Sequence, residues 1–311
     1  MRIAMFGTGG VGGYFGGRLA QAGEEVIFIA RGAHLDAILA QGLRVDSVKG
    51  DFVIRPARAE DDLLKIGTVD VVLVGVKAWQ VPAAAQTMKS LVGEKSFVVP
   101  FQNGVDAPAQ LAEELGEEHV LGGLCQISAM IAGPGHIRHV GIEPFVAFGE
   151  LDNHPSERAD RLKQAFSWAG VRAEIPADIQ LALWEKFLFI ASISGIGAVT
   201  RAPADITRRL PETRRMLEGM MREIVTVANA RHVNLKGEAV ISRMAFIDQM
   251  PLGVIPSMQR DLLEGRPSEL ESLVGAVVRM GQETGVPTPV STLIYHSLLP
   301  QELRARKELE F

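Results

Sequence analysis

The chain has 311 residues, 47% hydrophobic and 22% charged, an ordinary globular composition with a length suited to about two domains. A formal net charge of −5 gives a polyanion no general attraction, so no nucleic-acid partner is expected. The single cysteine, Cys125, excludes an internal disulfide and fits a reducing, cytoplasmic setting; its plainest reading is a small buried hydrophobe.

The first half alternates between strands and helices. Residues 2–6 read as a short buried strand, and 7–23 as a glycine loop running into a helix. Next come a strand at 25–30, a strand pair within 43–59, a buried strand at 69–77 and a helix at 80–92. Residues 96–104 read as a strand and turn, and 106–115 as a helix. Such alternation predicts a parallel sheet covered on both faces. Residues 120–151 are strand-like, with turns at Gly133–Gly135 and Gly141, and are expected to extend that sheet antiparallel. Beyond Pro176 the pattern turns helical, with helices expected at 178–197, 203–208, 212–232, 236–248, 268–285 and 289–297. The expected domains are therefore 1–176, α/β, and 177–311, helical. The charged stretch 301–311 reads as a frayed or solvated tail. No apolar run of about 18 residues stands out, so no membrane span is expected, and the apolar stretch at 3–6 is too short for a signal peptide.

Gly7, Gly9 and Gly12 form a GxGxxG spacing between a strand and a helix. Gly7 permits the tight turn, Gly9 admits a pyrophosphate close to the backbone, and Gly12 lets the helix pack on the sheet. The whole loop, Gly7, Thr8, Gly9, Gly10, Val11 and Gly12, is thus a candidate dinucleotide cradle. A methyltransferase-type nucleotide loop shares the bare motif. The following strand ends in Ala30–Arg31 rather than in an acid. Arg31 suits the 2′-phosphate of NADP(H), or it is a solvated surface arginine. His34 lies close by and reads as a surface residue or a flank of that phosphate. Lys77 and Asn103 end two further apolar strands, where open α/β sheets bind ligands, although a polar residue in that position is common. The seven histidines show no metal-ligand spacing, and no metal is assigned.

Lys186 stands in the apolar stretch LWEKFLFIAS. Either its stem snorkels and its ammonium reaches water, or it is held for a purpose. Taken alone, Ser257 after Pro256 reads as a helix N-cap and Glu269 as a first-turn acid.

The segments GTGGVGG, RGAH, VGVKAWQV, QNGV, LWEKF and PSMQRDLLEGRPSELE occur in the order and spacing of the ketopantoate reductase family, which the chain resembles over essentially its whole length. That resemblance implies a Rossmann-type N-terminal domain, a helical C-terminal domain of the 6-phosphogluconate-dehydrogenase-like kind, and NADPH-dependent reduction of a 2-oxo acid to an (R)-2-hydroxy acid. It implies that Lys186 is catalytic, that Ser257 holds substrate, and that Glu269 lies near the substrate and the nicotinamide ribose. It also places Asn103 at the nicotinamide and Ala129 near a cofactor contact, the last with altered local spacing. Helical periodicity puts Ile190 and Ser194 on the stripe of Lys186. The family usually carries asparagines at both positions, so another branched or aromatic 2-oxo acid competes with 2-dehydropantoate as substrate. A non-catalytic NADP-binding protein is the remaining alternative. A homodimer is expected.

Overall fold

A computed structural model describes residues 1–310 of the chain. It divides into two compact units, one of residues 1–102 and 106–179, the other of residues 103–105 with 180 onward. The sequence alone suggested a break at 176/177 and gave no sign that 103–105 belongs with the second unit.

The first unit runs β1 (Arg2–Phe6), α1 (Gly10–Gln21), β2 (Glu25–Ile29), α2 (Gly32–Gln41), β3 (Leu43–Ser47), β4 (Phe52–Ile54), β5 (Arg58–Glu60), β6 (Val69–Val74), α3 (Val81–Met88), β7 (Val92–Pro100) and α4 (Ala107–Leu115). It continues β8 (Leu121–Gln126), β9 (Ala129–Gly133), β10 (His136–His139), β11 (Phe145–Glu150), α5 (Glu157–Trp168) and β12 (Arg172–Glu174). Five strands make a parallel sheet in the order β5-β2-β1-β6-β7. Alternate residues serve its two faces. Ile3, Met5, Phe28 and Leu73 enter one core with Phe15 and Leu19 of α1. Ala4, Phe6, Ile29 and Val74 enter another with Val81 and Met88 of α3 and Leu111 of α4. Burial on both faces explains why these strands read as continuous apolar runs. Strand order reverses at β1, and a sheet of this kind binds ligands beyond the strand ends at such a point.

Two expectations need correction. Residues 120–151 do not extend this sheet. β8 and β11 pair antiparallel in a separate sheet with β12, while β9 and β10 form a hairpin that joins the β3–β4 pair. β8 instead lies close over the end of β7, because it has glycine where a Cβ would meet the Pro100 carbonyl at 2.5 Å. Within 43–59, β3 and β4 do pair, but β5 leaves them to run parallel beside β2.

The second unit is helical. It holds α6 (Ile179–Thr200) from its second residue, α7 (Ala204–Thr207), α8 (Pro211–Ala230), α9 (Glu238–Gln249), α10 (Ser257–Leu263), a π-helical segment Glu271–Gly275, α11 (Ala276–Thr284) and α12 (Pro289–Ala305). By length and composition α6 passes for a membrane span, contrary to the expectation that no such stretch exists, yet two thirds of its apolar stretch is buried within the protein. Gly195 brings it close to its neighbours: a Cβ there would stand 3.0 Å from Val274 and 3.4 Å from Ile294. At the start of α12 the buried Glu223 carboxylate accepts from Val290 N–H, Ser291 N–H and Ser291 Oγ–H at 2.7, 2.9 and 2.6 Å. The two N–H donors are among the four that a helix N-terminus leaves without intrahelical acceptors.

The expectation of a charged, frayed or solvated tail at 301–311 fails for its first part. α12 continues through Ala305, and Glu302 is only 3% exposed. Residues 307–310 are exposed, and Phe311 lies outside the described residues.

Candidate active-site residues

In the first unit the glycine loop leaves the end of β1 and opens α1, as the spacing predicts. Gly7 has φ +99°, a left-handed conformation suited to glycine, and a Cβ there would stand 2.8 Å from the Val76 nitrogen. At Gly12 a Cβ would strike the Gly7 carbonyl oxygen and come within 2.9 Å of Met5 Sδ. Gly9 is different: nothing lies within 4 Å of a Cβ built on it. The fold itself therefore does not need glycine at 9, and the open space suits a ligand that approaches the backbone. Gly10 is closed from the other side, since a Cβ would run into the Ala129 carbonyl at the start of β9. Ala129 thus sits against the loop. Val11 is the second residue of α1, and the first N–H groups of a helix point outward without partners, favouring an anion.

Thr8 is buried, with its N–H and Oγ–H both donating to the Ile29 carbonyl at 3.1 and 3.0 Å. His34 holds it from another direction. The Gly135 N–H donates to His34 Nδ1 at 3.0 Å, so the ring proton belongs on Nε2, which donates to the Thr8 carbonyl at 2.9 Å. His34 is therefore a brace for the glycine loop rather than a surface residue, a role that sequence spacing did not reveal. Burial holds its pKa below the ordinary histidine range, with the Thr8 bond opposing in part. Above a pH of about 6.5 the ring is neutral in folded and unfolded chains, and its full contribution is present. As pH falls from there through the lowered folded pKa, the unfolded chain takes the proton first and that contribution is lost. Urea titrations at about pH 7.5 and about pH 5 are expected to show a steeper loss of stability in the wild type than in His34→Gln. Equal losses would remove His34 from the account.

Arg31 is exposed and directly precedes α2. The acid nearest along the sheet is Glu60, beside Ile29 on β5, but its carboxylate turns onto its own loop and accepts from Asp61 and Asp62 N–H at 3.1 and 3.2 Å. Lys77 is exposed, three residues beyond β6, with its ammonium 5.7 Å from the Trp79 ring centre.

In the second unit the Lys186 ammonium nitrogen is buried, so this lysine does not snorkel to water. One turn on, Ile190 is half-buried; a further turn on, Ser194 is fully buried. Glu269 is 5% exposed and accepts from the Asn103 side-chain amide at 3.0 Å. Two residues far apart in the chain are thereby brought together within this unit. A Cβ at Gly104 would approach the Ser272 carbonyl at 2.9 Å, and φ there is +102°, so glycine lets this short stretch lie close to the segment that carries Glu269. Ser257 is exposed and begins α10; the N-cap position falls on Pro256 instead. Among the described residues no group of three or more potential metal ligands occurs.

Comparison with known proteins spans nearly the whole chain. Residues 3–153 match the family model described as ketopantoate reductase PanE/ApbA, and residues 178–302 match the model of its C-terminal domain. A Bacillus subtilis protein called uncharacterized oxidoreductase YkpB is 30% identical over 302 residues, spanning 96% of this chain and 98% of its own. A 2-dehydropantoate 2-reductase of a Nostoc species is 29% identical over 301 residues, spanning 96% and 94%. Among solved structures, 2-dehydropantoate 2-reductase from Geobacter metallireducens superposes with a TM-score of 0.89 at 29% identity, covering 96% of this chain and 99% of that one.

Proposed function

Since this chain belongs to the ketopantoate reductase PanE/ApbA family of oxidoreductases, we propose that it uses NADPH to reduce a 2-oxo acid to an (R)-2-hydroxy acid, with 2-dehydropantoate the leading substrate. The observation that carries this reading is the buried Lys186 ammonium. Lys186 is the one cation of α6, and burying an ammonium costs several kcal/mol unless its surroundings compensate. A charge held there has a use.

When bound, the nicotinamide cofactor supplies a hydride. The glycine loop residues Gly7, Thr8, Gly9, Gly10, Val11 and Gly12, with Ala129 beside them, would hold the cofactor, and the space beyond Gly9 supports that fit. Lys77, Asn103 and Glu269 are its further candidate contacts. Lys186 polarises the substrate carbonyl and donates a proton to its oxygen as charge develops there. Glu269, fixed by the Asn103 amide, orients substrate and balances the ammonium charge. Ser257 and Ser194 offer hydroxyls to the substrate. The buried single cysteine fits a cytoplasmic setting, and a homodimer belongs to the same reading.

NADPH selectivity is assigned to Arg31. In Arg31→Asp the KM for NADPH is expected to rise by about tenfold or more, because a charge-assisted pair becomes a repulsion, while the KM for NADH changes little. Equal changes for both cofactors would show that Arg31 does not read the 2′-phosphate.

Ile190 motivates a second reading, reduction of another branched or aromatic 2-oxo acid. An aliphatic group one turn from Lys186 cannot bond a substrate hydroxyl, and such bonds give a site its discrimination. Initial rates with NADPH across a panel of 2-oxo acids decide between the two. The highest kcat/KM is expected for 2-dehydropantoate; a preference for a bulkier acid would move the assignment to the second reading. Tight NADPH binding with no turnover on any acid would leave only a non-catalytic role.

A further inference from the structure

We propose that Glu302, with Ser268 and Arg306, is a positioning device for Glu269, an inference that rests on the role given to Glu269 above. Ser268 is fully buried and immediately precedes Glu269. Its N–H donates to both oxygens of the Glu302 carboxylate at 3.0 and 3.1 Å, and its hydroxyl donates to Oε2 at 2.5 Å. The Ser268 carbonyl accepts from Arg306 Nη2 at 3.0 Å, and Arg306 Nε pairs with Glu302 Oε1 at 2.7 Å. Both polar groups of the Ser268 peptide backbone, and its side chain, are therefore tied to α12 and the residue that caps its end. Ser268 Oγ in turn accepts from the Leu270 N–H at 3.2 Å, on the far side of Glu269. Glu269 is held between two anchored residues, and its own carbonyl accepts from Leu273 N–H at 3.0 Å.

Stability alone is a weak reason for this arrangement. A buried carboxylate gives up hydration that its attraction to the partly exposed Arg306 guanidinium often fails to repay, and a neutral capping residue would serve a helix start more simply. What the pair adds is a fixed backbone at the residue before the candidate catalytic carboxylate. The π-helical segment Glu271–Gly275 follows at once, and such segments are frequent at functional sites. Catalytic geometry tolerates only about 0.5 Å of error, and a shift of about 1 Å costs about 100-fold in rate.

The test is a double-mutant cycle on the full-length protein, with steady-state kinetics in NADPH and the 2-oxo acid the enzyme accepts best. Glu302→Gln keeps the side-chain shape but loses the charge and one acceptor. It is expected to lower kcat about tenfold, with the NADPH dissociation constant within about twofold of wild type, since the glycine loop belongs to the other unit. In a Glu269→Gln background the same change is expected to lower kcat by less than about twofold further, because a positioning residue has no effect once its target is gone. Ser268→Ala removes only the hydroxyl links, so it supplies the same comparison should Glu302→Gln not fold; a loss of about threefold, again absent in the Glu269→Gln background, is expected. Losses that multiply in the double mutants, or wild-type kcat in Glu302→Gln, would overturn the positioning role while leaving Glu269 in place. A wild-type kcat for Glu269→Gln alone would overturn the reading of Glu269 and the positioning role with it.

Discussion

Replacing Lys186 with alanine is expected to lower kcat by about 100-fold or more, the usual worth of a positioned general acid, with the NADPH dissociation constant nearly unchanged. The two readouts separate because the candidate cofactor loop lies in the first unit and Lys186 in the second. Steady-state rates and a fluorescence titration with NADPH measure the two quantities. A kcat within about threefold of wild type would remove Lys186 from the chemistry and return it to packing.

Gly12→Ala is expected to damage folding and cofactor binding together. The new methyl meets the Gly7 carbonyl, which is main chain, and Met5 Sδ and Cγ at 2.9 and 3.1 Å. Of these only the methionine can yield cheaply. Overpacking of this kind costs about 1–3 kcal/mol, and a displaced Gly7 turn misplaces the amides proposed to face the cofactor phosphate. Affinity for NADPH is expected to fall by at least about tenfold. Gly9→Ala is the matched control. Nothing in the protein lies within 4 Å of its added methyl, so stability is expected to hold within about 0.5 kcal/mol. Binding alone should weaken, because the methyl occupies space given to the ligand. Urea midpoints with NADPH titrations read both effects. Normal binding in both variants would show that this loop does not hold the cofactor.

Much of the fold is written in local pattern. The alternation of β1, β2, β6 and β7 with helices is legible because buried parallel strands are continuous apolar runs set off by glycine and polar turns. The helical second half is legible for a similar reason, except that α10 is absent from the expected helices, although Ser257 reads as a helix start. Strand partners are another matter. Residues 120–151 are strands, as their composition says, but nothing local to them specifies β3 as the neighbour of β10.

The candidate site divides in the same way. The glycine spacing, Lys186 and Arg31 announce themselves by residue type. The Asn103–Glu269 bond spans 166 positions and the Ser268–Glu302 clamp 34, so neither has a local signature. Glu302 is instructive, because a carboxylate in a charged terminal stretch reads as solvated until its buried partner is known. The burial of Lys186 Nζ was likewise open on the sequence, since a long stem on an apolar helix is compatible with either outcome. Ser257 shows the opposite error. Its type suggested an N-cap, but Pro256, extended at φ −59° and ψ 156°, takes that place.

The central claim is a hydride transfer to the carbonyl carbon of a 2-oxo acid. Its most direct test is a turnover experiment with NADPH dideuterated at C4 of the nicotinamide, followed by mass analysis and chiral chromatography of the product. The predicted product is the (R)-2-hydroxy acid with a single deuterium at C2. An unlabelled product, the (S) acid, or no product from any 2-oxo acid would contradict it.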